Sequence, residues 1–464
     1  VTEIHDPLRL HAQSQPDHPA LLLHHGAVSY TALDLLVDRL TATMRSDGIR
    51  SGDRVALRGL PAPDTIAALL ALWRIDAAAC PLSDRLTTSQ TQHYLSMCSV
   101  RSVFETLPEP TDRGTPATPP TWRLDRDATI LLTSGSCGAP KAVVHTLGAH
   151  YYSALGSARN LPLTRDDRWL LALPLYHVGG LAIVVRCLLA GATIAVAPKE
   201  QSISETLERM HPTHLSLVPT QLHRLIADRS ALSQLQKTRA ILIGGGPLGH
   251  KLASQADAHD LPLATSYGST EMASQVCATP AGATDRWHTA GKVLPYREML
   301  LAGDSEILVR GQTLCRCLLA EDGSPVTVTD PQGWYHTADI GTLDNTGDLI
   351  VVGRRDNMFI SGGENIHPEQ IEGALLEING VLEAIVVPIA DHEFGARPVA
   401  FLKATSADII DLGTVNEALT RGGRLERFKL PIAVWELPDQ GTDTMKPDRP
   451  ALERLAARLL KREA

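Results

Sequence analysis

Asp53-Arg54-Val55-Ala56-Leu57-Arg58-Gly59-Leu60 runs on through DTIAALLALWRI (64–75) to Ala77-Ala78-Ala79-Cys80-Pro81-Leu82. The outer segments are short apolar runs of strand length, and the middle one is long enough and apolar enough for a buried helix. The same order returns downstream as ATIAVAP (192–198), SISETLERM (202–210), THLSLVP (213–219), TQLHRLIADR (220–229) and RAILIGGG (239–246). Strands that alternate with helices predict an α/β fold of parallel-rich sheets packed with helices. Near Gly353 the texture changes to a glycine loop, SGGENI (361–366), a helix, HPEQIEGALLEI (367–378), and a strand, EAIVVPI (383–389). The expectation is a large N-terminal body over 1–353, a hinge at 354–356 and a small mobile α+β domain over 357–464.

With 464 residues, 44% of them apolar, the chain can bury a sizeable core without staples. The net charge of −9, with no basic run, argues against a nucleic-acid binder. The seven cysteines are odd in number and include no CxxC, so neither a disulfide framework nor a metal site is expected. Cys315 and Cys317, on one face of a strand, read as packing. Leu181 to Ala190, the most apolar stretch, is interrupted by Arg186 and too short to span a bilayer. No signal peptide is expected at the N-terminus. These readings together predict a soluble, cytoplasmic protein.

Thr133-Ser134-Gly135-Ser136-Cys137-Gly138-Ala139-Pro140-Lys141 follows the strand-like ATILL. Small hydroxylated and glycine residues let backbone N–H groups approach phosphate oxygens, and Lys141 supplies charge. This is no Walker A loop, because Ala142 stands where Ser or Thr would meet magnesium.

That loop resembles the phosphate loop of the adenylate-forming superfamily, which includes acyl- and aryl-CoA ligases, firefly luciferase and peptide-synthetase adenylation domains. Further matches follow in order: Pro174-Leu175-Tyr176-His177-Val178-Gly179-Gly180, Gly244-Gly245-Gly246-Pro247, Tyr267-Gly268-Ser269-Thr270-Glu271, Tyr335-His336-Thr337-Ala338-Asp339, Gly353-Arg354-Arg355-Asp356 and SGGENI. The resemblance implies ATP, Mg²⁺ and CoA as cofactors or co-substrates. It places Thr133, Ser134, Gly135, Ser136, Gly138 and Lys141 on the phosphates, and Gly245, Gly246, Pro247, Tyr267 and Gly268 around adenine. Asp339 and Arg354 fall on the ribose, and Glu271 on magnesium, beside the Thr270 hydroxyl. Lys446 matches the catalytic lysine that the small domain carries, Asp356 the pivot, and His177 the acid pocket. Cys137, Ala338 and Met445 depart from the family pattern, where threonine, glycine and glycine are usual.

Within the superfamily, the YGSTEMASQVCA (267–278) and DHEFGARPVAFL (391–402) runs are most similar to the acid–CoA ligases that act on 2-succinylbenzoate in menaquinone biosynthesis. An aromatic dicarboxylic acid needs donors beyond those for ATP. Ser274 and Gln275 can supply neutral ones, and Arg186, in LAIVVRCLLA (181–190), needs a partner or water. A structural ion pair and a substrate carboxylate both answer that need. The alternatives for the whole chain are a medium-chain or aryl acid–CoA ligase and a catalytically dead nucleotide-binding regulator.

Overall fold

The computed structural model describes residues 2–110, 120–133, 141–198, 201–246, 248–421, 425–438 and 448–463. The opening segments fold as read: strands Arg54–Arg58 and Ala78–Leu82 pair in parallel, and helix Ala62–Trp73 joins them. They belong to a seven-stranded sheet that also holds Asp127–Thr133 and its antiparallel return strand Lys141–Thr146. A nine-stranded sheet contains the second set of strands. Its parallel centre runs Leu263–Ser269, Ala240–Ile243, His214–Leu217, Arg168–Leu171, Thr193–Val196 and Pro19–Leu23.

Helix Ala62–Trp73 buries every residue from Thr65 on, and helix Val178–Ala190 buries Gly180 through Leu188. Helices apolar on all sides must lie inside, and the largest hydrophobic cluster joins them to residues of both sheets. Local signals fix the boundaries. Gly191, at φ +69°, ends the Val178–Ala190 helix, and a Ser202–Glu205 capping box starts Ile203–Met210. Among the described residues no helix is long and apolar enough to cross a membrane. The described cysteines are all free and buried, Cys315 and Cys317 included.

One feature departs from the sequence reading. Strands Arg297–Leu301, Glu306–Gly311, Tyr335–Leu343 and Leu349–Arg354 form an all-antiparallel sheet, which adds to the helix-covered parallel ones. That sheet ends at Arg354, a 3₁₀ turn covers Arg355–Asn357, and Phe359–Ser361 enters a five-stranded sheet. This last sheet, with helices Pro368–Leu376 and Arg449–Glu463, packs two hydrophobic clusters drawn wholly from residues beyond Asn357.

Candidate active site

Thr133 and Lys141 are register partners at the last pair of their two strands, at the carboxyl end of a strand that pairs in parallel with Ala78–Leu82. The Thr133 hydroxyl donates to the Lys141 carbonyl at 3.5 Å, and Lys141 is exposed. Ser134, Gly135, Ser136, Cys137, Gly138, Pro247, Met445 and Lys446 lie outside the described residues. The glycine turn 244–246 leaves the carboxyl end of strand Ala240–Ile243. Gly245 adopts φ +82°, and the Gly244 N–H donates to the Leu217 carbonyl at 3.2 Å.

Asp339 is the centre of a second group. The Tyr267 hydroxyl donates to its Oδ2 at 2.5 Å, and Arg354 donates to its Oδ1 at 2.8 Å and to Asp356 Oδ2 at 2.9 Å. Asp339 and Arg354 are register partners on adjacent strands, which explains the pairing. Burial and the Asp339 carboxylate together push the Tyr267 phenol up, so it stays a donor. Tyr267 was expected to offer its ring to adenine. It is 9% exposed and packed with Met272, Val276 and Ile307, and what the structure shows is a hydroxyl that holds Asp339. Gly268 is fixed by close approach, since a Cβ there would meet the Ser274 carbonyl oxygen at 2.0 Å. Ala338, which stands where the family has glycine, takes φ +59°, a conformation L residues enter at a cost.

Thr270 and Glu271 form the turn after strand Leu263–Ser269. The Glu271 carboxylate is half-buried; burial and then this carboxylate push the Tyr335 phenol up, and among the described residues no lysine or arginine pairs with Glu271. A carboxylate without a cation is suited to a hard metal, and magnesium is commonly held by one or two carboxylates plus substrate phosphates. Among the described residues no group of three or more His, Cys, Asp or Glu side chains could hold a metal ion by itself. Two residues absent from the expected site meet this turn. One is Tyr335. The other is His145, fully buried and pushed down to about 4 by burial, with Nε2 2.6 Å from the Thr270 carbonyl oxygen. Its only sequence signal was a polar residue in an otherwise apolar strand, VVH (143–145).

Arg186, Ser274 and Gln275 come together as expected. Arg186 Nη2 donates to Gln275 Oε1 at 2.7 Å and to Ser274 Oγ at 3.4 Å, and the guanidinium lies 5.1 Å from the Trp169 ring centroid. Among the described residues no carboxylate reaches Arg186. Arg74 shows the contrast: it is buried too, but pairs with Asp6, Asp34 and Asp38 at 2.5–2.7 Å. Burial and the nearby Arg297 push the Arg186 guanidinium down to about 10. Its Nε and the Gln275 Nε2 are buried without a protein partner. Arg297, unforeseen from sequence, packs beneath and is held by the Gln275, Tyr152, Ser153 and Pro295 carbonyls. His177 is not part of this cluster. It caps the start of helix Val178–Ala190, against Tyr176, about 13 Å along the helix axis from Arg186.

A family profile described as AMP-binding enzyme matches residues 8–319. A 2-succinylbenzoate–CoA ligase of Salmonella typhimurium is 36% identical over 94% of each chain. An Escherichia coli MenE variant with bound OSB-AMS shares 33% identity and a TM-score of 0.84, covering 97% of this chain and 98% of that one. The Bacillus subtilis o-succinylbenzoate coenzyme A synthetase in complex with ATP and magnesium ion shares 28% identity and a TM-score of 0.83, over 97% of this chain and all of that one.

Proposed function

The chain belongs to the AMP-binding enzyme family, and on that premise we propose that it is an ATP-dependent acid–CoA ligase for 2-succinylbenzoate, acting in menaquinone biosynthesis. Relatives of that name match along nearly its full length. The observation that carries the choice of acid is Arg186, a buried guanidinium that among the described residues meets no carboxylate, beside the unpartnered amide nitrogen of Gln275. A dicarboxylate activated at one end keeps the other charged, and that end supplies the missing anion.

In the first half-reaction a carboxylate oxygen of the acid attacks the α-phosphorus of ATP. The bond from that phosphorus to the β-phosphate oxygen breaks, and pyrophosphate leaves. Thr133 and Lys141, with Ser134, Gly135, Ser136 and Gly138, hold the phosphates, while the turn at Gly245, Gly246 and Pro247 lines adenine. Asp339 accepts from the ribose hydroxyls, oriented by Tyr267 and Arg354. The Thr270 hydroxyl donates to the α-phosphate. Glu271 would hold the magnesium ion, which when bound offsets phosphate charge. Lys446 adds positive charge where the transition state gathers negative charge.

In the second half-reaction the CoA thiol sulfur attacks the acyl carbon. The bond from that carbon to the AMP oxygen breaks, the thiol proton is released, and AMP leaves. The first step acts at the α-phosphorus with Lys446, and the second acts at the acyl carbon and needs a path for the thiol. The 357–464 domain therefore turns about Asp356 between steps, which brings the SGGENI loop to the acyl group. His177 borders the acid pocket at the far end of the helix from Arg186. The described cysteines are free and buried, as suits a reducing compartment, and this supports a cytoplasmic enzyme.

The test is a panel: purified protein, ATP, Mg²⁺ and CoA with 2-succinylbenzoate, benzoate or medium-chain acids, read by pyrophosphate release and acyl-CoA formation. Preference for benzoate or a medium-chain acid would overturn the substrate. No pyrophosphate with any acid would favour the regulator.

A further inference from the structure

We propose that His145 is a positioning residue for the Thr270–Glu271 turn, tying the strand that follows the phosphate loop to the carboxylate that meets magnesium. The proposal rests on the reading of Glu271 given above.

His145 lies four residues beyond Lys141 on strand Lys141–Thr146 and is wholly buried. Its Nε2–H donates to the Thr270 carbonyl at 2.6 Å. That oxygen also accepts from the Ala273 N–H at 3.0 Å, so both of its lone pairs are used. On its other side the His145 Nδ1 faces the Thr129 hydroxyl at 3.4 Å, and that hydroxyl lies 2.8 Å from His150 Nε2. The ring is therefore held at both nitrogens, and its orientation is set.

The same turn is gripped from its far end. The Cys315 N–H donates to the Glu271 carbonyl at 2.7 Å, and the neighbouring Arg316 N–H donates to Val144 at 2.8 Å, back on the His145 strand. Backbone atoms of Thr270 and Glu271 are thus anchored to one strand by two routes, while the Thr270 hydroxyl takes no part in either. After the turn, Ala273 and Ser274 adopt φ +50° and +110°, a conformation that such anchoring would hold in place. An aliphatic residue would pack in a buried strand at least as well as an imidazole. What the imidazole adds is one strong bond to the turn.

Partners of this kind, one bond removed from a metal ligand, typically change metal affinity 10- to 100-fold when lost. The measurement is the binding of adenylyl imidodiphosphate by calorimetry, with and without Mg²⁺, for the parent and for H145L, H145Q, H145N and E271A. Glutamine can place an amide N–H where Nε2–H stood; asparagine is too short. In H145L the Mg²⁺-dependent gain in binding should fall roughly 10- to 100-fold, with Mg²⁺-free binding and the KM for the acid little changed. H145Q should recover most of the loss and H145N should not. If H145L fails to fold, the glutamine–asparagine difference decides. Equal behaviour of H145Q and H145N, or parental Mg²⁺ dependence in folded H145L, overturns the proposal. If E271A keeps the parental Mg²⁺ dependence, the reading of Glu271 fails instead.

Discussion

A desolvated guanidinium costs several kcal/mol unless an anion offsets it, and among the described residues Arg186 meets Ser274, Gln275 and the Trp169 face but no carboxylate. Arg186→Leu should therefore leave the thermal midpoint unchanged or raise it, where loss of a structural ion pair would lower it. The same change should cost about 2 to 4 kcal/mol in transition-state binding of 2-succinylbenzoate, roughly 30- to 1000-fold in kcat/KM. An analogue without the second carboxylate should lose far less, and the KM for ATP should hardly move. Equal losses on both acids would return Arg186 to a structural role. Ala338 invites a second substitution. At φ +59° it bears a steric cost that glycine escapes, while glycine adds entropy to the unfolded chain. Ala338→Gly should stabilise by about 0.5 to 1 kcal/mol in urea unfolding; destabilisation would show that the Cβ packs favourably. Arg186 could be picked out in the sequence because charge in an apolar helix has no local explanation. Tyr267 could not be read the same way, since its hydroxyl meets a carboxylate 72 positions away that only the folded sheets bring near.

Strands and helices with strong periodicity were legible in the sequence, and the elements built on weak alternation were not. ALLALW and AIVVRC declare buried helices whatever surrounds them, and both helices are found where expected. The antiparallel sheet from Arg297 to Arg354 has strands such as YHTADIGTL, whose mixed polarity gives no clear period, so it went unread. Buried histidines on such elements carry a measurable consequence. Burial holds His145 at about 4, and holds His214 at about 4 despite Asp167 at 3.8 Å. Both values lie below the ordinary 6.5, so the unfolded chain takes up these protons first. Stability should be intact above pH 6.5 and drain as the pH falls to 4, by about 3 kcal/mol for each histidine. Urea unfolding at stepped pH across that window checks it. A flat profile would mean these rings are protonated in the fold or masked by carboxylates that gain stability there.

At the scale of the whole molecule, the proposed reaction works first at the α-phosphorus and then at the acyl carbon, and the residues proposed to separate the two steps are Lys446 and Asp356. Lys446 was placed by its position in the sequence and lies outside the described residues, so kinetics must decide its part. Lys446→Ala should slow adenylate formation roughly 100- to 1000-fold, as the loss of one aimed charge does. It should spare thioester formation from supplied acyl-adenylate. Asp356 occupies the 3₁₀ turn between the antiparallel sheet and the five-stranded one, and its carboxylate accepts from Arg354, which also holds Asp339. Proline at 356 fixes its own φ and restricts Arg355 before it, so a turn about this position is blocked. Asp356→Pro should then invert the pattern, with adenylation retained and thioester formation lost. Asp356→Ala is the necessary companion, because it removes the ion pair with Arg354 and leaves the backbone free. If the alanine variant loses thioester formation as fully as the proline one, the carboxylate matters rather than the rotation. If the proline variant makes acyl-CoA from supplied adenylate at the parental rate, the pivot is elsewhere, and the two-arrangement account must find another hinge.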